Sequence, residues 1–227
     1  SVFRQVDRET HLIGLMRVGM LKRMESSIHS FALTVEKILG NIENTLKVIG
    51  ERQGSFDPEM NIGEIDVDDD EFENLMFGNN VKVLLQDMDL IKWQQDLEFD
   101  RDKLTSILAE AKTITPERDQ KLQELKELIR QKMANPINNG NHKIAVFTAF
   151  ADTANYLYDH LAEQLRQEGE YTAIVTGAGD NRATLPLTRE MKRTVRLSDL
   201  NTVLTLFSPR SKDRDKVFPE VTDEIDL

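Results

Sequence analysis

Apolar residues recur at helical spacing through the N-terminal part of the chain. Leu21, Met24, Ile28, Phe31, Val35, Ile38, Ile42 and Ile49 stand three, four or seven positions apart. Such steps put side chains on one stripe of an α-helix, so the pattern predicts a single long packing helix over 12–49 that closes near Gly50. The periodicity then stops. Residues 51–80 hold Gly54, Pro58, Gly63 and Gly78 around the acidic run 64–71, which predicts a solvated, mobile loop. Helical spacing resumes with Val81, Leu84, Leu85 and Met88, and again with Leu104, Ile107, Leu108 and Ala111. Thr115 as N-cap and Pro116 at the first helical position predict another start, with Leu122, Leu125, Leu128, Ile129 and Met133 on its apolar face.

The polar run 135–140 (Asn-Pro-Ile-Asn-Asn-Gly) ends that helix and marks the expected boundary between a helical part, 1–140, and a second part, 141–227. Past it the pattern changes. Residues 143–147 form a short apolar run, 151–168 return to helical spacing, and 171–176 form a second apolar run between Gly169 and Gly177. Strand, helix, strand in so few residues predicts a βαβ crossover and a parallel sheet. A helix is expected over 198–207, and 224–227 has the look of a further strand beginning. The expected class is therefore α/β, a mostly helical half followed by a truncated parallel-sheet domain.

Charge changes the picture only once it is mapped. The chain of 227 residues has a formal net charge of −11. Residues 51–100 carry 15 acids and three bases, a net of −12, so the remainder sums to +1. Whole-chain acidity is thus no argument against a nucleic-acid partner. No apolar run approaches the ~18 residues of a membrane span, and no basic-then-apolar leader opens the sequence. The absence of Cys removes disulfides, thiolate metal sites and thiol nucleophiles, and fits a cytoplasmic location.

Several chemistries lack their residues. There is no G-x-x-x-x-G-K-[ST] run to cradle a triphosphate, and no G-x-S-x-G elbow. His11, His29, His142 and His160 lack metal-ligand spacing. Asp66, Asp68 and Asp70 match the opening of a calcium loop, but Glu71 stands where its glycine belongs and Phe77 where its bidentate Glu belongs. The turn 177–182 starts like a dinucleotide fingerprint, but Arg182 replaces the third glycine. Two basic clusters remain. Arg182, Arg189, Lys192, Arg193 and Arg196 face one acid, Glu190; Arg210, Lys212, Arg214 and Lys216 alternate with Asp213 and Asp215. The first is the better candidate for phosphate contact.

Five segments resemble, in order, bacterial Swi/Snf-type superfamily 2 helicase-like ATPases. Residues 21–27 with Phe31 resemble the "LLKRLESS…AF" stretch between the two motor lobes. Residues 121–128 resemble the helix leading into the second lobe, and 144–150 with Asp152, Thr153, Ala154 and Leu157 resemble helicase motif IV. Residues 174–177 sit where the family places a nucleic-acid-contacting turn, and 224–227 are similar to the start of motif V. The resemblance implies an internal fragment of an ATP-dependent translocase: the helical inter-lobe region and the first half of a RecA-like (P-loop NTPase-like) C-terminal lobe. It implies double-stranded DNA as partner, together with the rest of the same polypeptide. It places nucleic-acid contacts at Thr148, Phe150, Thr176, Gly177 and Arg182, and an exposed sheet edge open to association between copies. ATP and Mg would belong to the parent motor and not to this piece, which lacks the P-loop lysine, the metal-binding acid and the arginine finger. Two other readings stand beside it: a non-enzymatic helical interaction module with a small α/β cap, and a Rossmann-like nucleotide-binding protein.

Overall fold

A computed structural model describes residues 2–52, 59–61, 82–84, 90–177, 179 and 181–227. The chain divides into two compact units, Ser1–Ile114 and Thr115–Leu227. The polar break at 135–140 falls inside the second. Most of the loop expected over 51–80 lies outside the described residues, as do Asp66, Asp68, Asp70, Glu71 and Phe77.

The first unit is built on α1 (Val2–Ser26), α2 (Ile28–Arg52) and α3 (Leu90–Lys112), with a short antiparallel pair of β1 (Glu59–Asn61) and β2 (Lys82–Leu84). The helical spacing expected from Val81 onward thus gives way to a strand at 82–84. The single helix expected over 12–49 is two, parted at Ser27. Its Oγ accepts from the amides of His29 and Ser30 at 3.1 and 3.4 Å, capping the first turn of α2. Ser27 N still donates to Arg23 O, and Phe31 N to Ser27 O, so the turn spacing carries across the interruption. That continuity is why the hydrophobic pattern runs through the break unmarked. The buried stripe around it is polar: Arg23, Ser27, Ser30 and Thr34, followed by Val35, Leu39 and Ile49. Leu21 and Met24, expected in the core, are 58% and 40% exposed. Helix α2 packs against α3, and Lys112 pairs with Glu36.

In the second unit α4 (Gln120–Ala134) begins later than expected. Its N-cap is Asp119, whose Oδ1 accepts from Leu122 N at 3.1 Å. Pro116 lies instead in the preceding turn, where Arg118 N and Asp119 N both donate to Thr115 O. Helix α5 (Ala151–Gln167) and helix α7 (Leu200–Phe207) follow the sequence pattern closely; the single turn α6 (Met191–Thr194) lies between them and a second, α8 (Arg214–Val217), follows α7.

The sheet does not follow the pattern, and the α/β expectation is corrected. Helices make up 62% of the structure, and no parallel RecA-like sheet is present among the described residues. Strand β3 is only Ala173–Ile174, and it pairs antiparallel with β4 (Arg182–Ala183), the next segment in the chain. Gly179, at φ 85°, allows the reversal between them. The expected strand 143–147 forms no ladder: Ile144 N donates to Asp226 O, but Val146 and Phe147 are 42% and 93% exposed. Residues 224–227 contribute isolated bonds, from Asp226 N to Tyr171 O and from Ala173 N to Leu227 O. A parallel sheet needs evenly repeated bonds between longer strands, and single contacts on each side do not build one.

What holds this unit together is two hydrophobic clusters. One centres on Leu185, Val195, Val203, Leu206, Val221 and Ile225; the other gathers Leu122, Ile129, Tyr156, Leu161 and Leu165. No described helix is long and apolar enough to cross a membrane.

Candidate nucleic-acid interface

Helix α5 supplies the frame of the expected interface. Asn155, Tyr158 and Asp159 are spaced i, i+3, i+4, which sets them on one face of it. Arg182 reaches that face from β4: one guanidinium nitrogen donates to Asn155 Oδ1 and Asp159 Oδ1, each at 3.1 Å. The guanidinium also stacks 4.8 Å above the Tyr158 ring. Burial raises the Tyr158 hydroxyl above the usual phenol range, and the arginine's charge partly opposes this. The sequence presented Arg182 as a misfit in a glycine-rich turn. The structure shows a strap that ties β4 to α5, with its charge already answered by Asp159.

The other residues expected at nucleic acid fall into two groups. Thr176 and Gly177 lie in the β3–β4 turn with Arg182; Thr176 N donates to Asn181 Oδ1 at 3.2 Å and Gly179 N to Thr176 O. Asn181 in turn donates to Ser198 O, pinning the turn to the segment before α7. Thr148 and Phe150 lie at the start of α5, where Phe150 is the N-cap residue without a side-chain cap and its amide donates to Thr148 Oγ1 at 3.3 Å.

The two basic clusters differ in how far their charge is paired. Arg189, Lys192, Arg193 and Arg196 are exposed around α6, and none forms an ion pair among the described residues. The only acid among them in sequence is Glu190. In the second cluster Arg214 pairs with Asp215 at 2.7 Å and Glu224 at 3.7 Å, and Lys216 with Asp213 at 3.2 Å. Spacing from acids in sequence was the available signal, because alternating signs already hinted at self-pairing. Apart from Arg182, the first cluster is therefore a strip of positive charge without ion pairs among the described residues, suited to phosphate oxygens; the second is partly spent on internal pairs.

A triphosphate needs consecutive backbone amides and a lysine, and the chain has no such run. Among the described residues no three or more His, Asp or Glu side chains are grouped to hold a metal ion. Comparison with protein-family models, curated proteins and solved structures finds no match for this chain.

Proposed function

We propose that the chain is a segment of a cytoplasmic, ATP-dependent translocase of the Swi/Snf type, and that its own contribution is to grip the phosphates of double-stranded DNA. The observation that carries the phosphate grip is the unpaired basic strip of Arg189, Lys192, Arg193 and Arg196. The order of the five resembling segments supports the kind of motor. Each strip cation that neutralises a phosphate releases a condensed counterion, so binding should fall steeply with salt. The β3–β4 turn, strapped by Arg182, would place Thr176 and Gly177 as backbone contacts that position the duplex without reading its sequence. ATP and Mg act on the parent motor alone.

The test is duplex-DNA binding by fluorescence anisotropy across a salt series, comparing the chain with a variant carrying R189Q, K192Q, R193Q and R196Q. The slope of log affinity against log salt should shrink by about three to four units, roughly 0.9 for each phosphate no longer neutralised. Lys216→Gln, which removes a cation paired with Asp213, should leave the slope nearly unchanged. Equal slopes for the chain and the fourfold variant would sink the reading. Introduced into the parent motor, the same four substitutions should lower DNA-stimulated ATP hydrolysis and leave the unstimulated rate alone.

One observation favours a second reading, a helical interaction module. Along α1, Ile13, Leu15, Val18, Leu21 and Met24 are each between 40% and 58% exposed. Apolar exposure on this scale marks surfaces that other protein covers. A chain with unchanged DNA affinity in the fourfold variant, but self-association abolished by Leu21→Glu, would support that alternative.

A further inference from the structure

Residues 225–227 are seated between two other segments of the chain. On one side Ile144 N donates to Asp226 O at 2.8 Å; on the other, Leu227 N donates to Tyr171 O at 3.2 Å and Ala173 N to Leu227 O at 2.7 Å. Lys143 fixes the seat, its Nζ donating to Ile225 O at 2.6 Å and to Asp226 Oδ1 at 3.2 Å. Bonds from Leu227 to both 171 and 173 belong to segments that run in the same direction. His142 Nδ1 lies 3.5 Å from Glu170 Oε1, so 142–144 advances alongside 170–172 in that direction too.

Past Leu227 the two walls go on with nothing bonded between them. No bend or turn interrupts 143–148. By the two-residue alternation of extended chain, Val146 N–H faces the side that Ile144 N–H faces, and Val175 N–H the side that Ala173 N–H faces. Among the described residues Ala145, Val146, Phe147 and Val175 make no backbone hydrogen bond. The side chains of Val146, Phe147 and Val175 are exposed as well. Where 226–227 sit, the walls stand two strand spacings apart, roughly 10 Å, the width that one strand fills. Neither 144–151 nor 171–177 contains a charged residue.

We propose that 144–147 and 173–175 are the walls of a notch that receives a peptide ligand: one extended strand, uncharged and rich in β-branched residues, running in the direction of 225–227. The seated residues show what the notch takes, because 225–227 fill its first positions through the bonds a strand makes. The register follows from them. The ligand's first residue accepts from Val146 N and its second from Val175 N, continuing the alternation in which Asp226 O turns to one wall and Leu227 O to the other. A bare strand edge is a template for an added strand, and here two edges face one another. A charged ligand residue would lose its hydration against walls that offer no counter-charge. Neither wall includes a residue of the basic strip, and the notch owes nothing to DNA binding.

The probe is Val-Thr-Val-Thr-Val joined after Leu227, where the tether supplies it at an effective concentration of about millimolar. Hydrogen exchange of the full 227-residue chain with and without this extension, read amide by amide by NMR, is the test. Protection at Val146 and Val175 should rise roughly tenfold or more, as for a notch about nine-tenths filled. The amide of Ala145, which faces away from the notch, should exchange as before, and Ile129 should report an intact fold. Val-Pro-Val-Pro-Val in the same place keeps the apolar content but lacks ladder donors, and should leave Val146 and Val175 as they are in the unextended chain. Unchanged protection at these two amides with the first extension, or an equal rise with the second, would overturn the notch. An unextended chain that sediments as a dimer with both amides already protected would overturn it too, since a second copy would then be the occupant.

Discussion

Thr172 illustrates how one atom can work against the fold that contains it. Its side chain is buried, the residue being 3% exposed, and its Oγ finds no hydrogen-bond partner among the described residues. Its backbone is fully engaged: Thr172 N donates to Thr184 Oγ1 and Thr184 N donates to Thr172 O. A buried hydroxyl without a partner carries its desolvation cost uncompensated. Thr172→Val keeps the shape and the backbone bonds while removing that cost. It should stabilise the chain by about 1 kcal/mol in urea denaturation, unusual for a core substitution. Tyr156 shows the opposite case. Its hydroxyl donates to Asp119 Oδ2 at 2.9 Å while Asp119 Oδ1 caps α4, so one carboxylate serves a helix end and a core tyrosine together. Burial and that neighbouring charge hold the Tyr156 hydroxyl well above its ordinary titration.

At the scale of elements, α4 separates packing from pattern. Leu122 and Leu128 both belong to its apolar series, yet Leu122 is 1% exposed and Leu128 is 52% exposed. Leu122→Ala should cost roughly 2–5 kcal/mol, and Leu128→Ala less than about 0.5 kcal/mol, in the same denaturation measurement. The contrast explains what could be read in advance. Helices α3, α5 and α7 were legible because several turns of apolar spacing repeat one message. The apolar run at 144–147 was not, because four such residues read alike whether or not strands cover them, and here Phe147 is left in the open. The break at Ser27 was hidden for a subtler reason: the buried positions Arg23, Ser27, Ser30 and Thr34 keep helical steps but are polar, so a search for apolar stripes passes over them. At the candidate interface, residue types pointed to both basic clusters, and the alternating acids of the second hinted at the pairing that Arg214 and Lys216 show.

For the whole molecule the decisive quantity is where its charge sits. All of the net negative charge belongs to 51–100, the remainder summing to +1, whereas the basic strip lies more than 85 positions later in sequence. Long-range repulsion from that segment should weaken DNA association in dilute salt and fade within a Debye length of ~10 Å at about 0.1 M. Substituting Asn for Asp66, Asp68, Asp69 and Asp70 should therefore raise DNA affinity at low ionic strength and change it little at about 0.3 M. Anisotropy at the two salt concentrations checks this. A gain of the same size at both would assign those aspartates some effect other than long-range charge.

The way 224–227 is seated also bears on when the second unit can fold. Ile225 belongs to the cluster around Leu206, whereas Leu227 packs against the cluster around Leu122 and Leu161. Lys143 and Asp226, which meet there, are 83 residues apart along the chain. Neither cluster is finished until that long loop has closed, and closing it costs entropy that only the completed contacts repay. During synthesis, α4 and α5 would leave the ribosome with part of their apolar faces still uncovered, and would stay so until those four residues arrive.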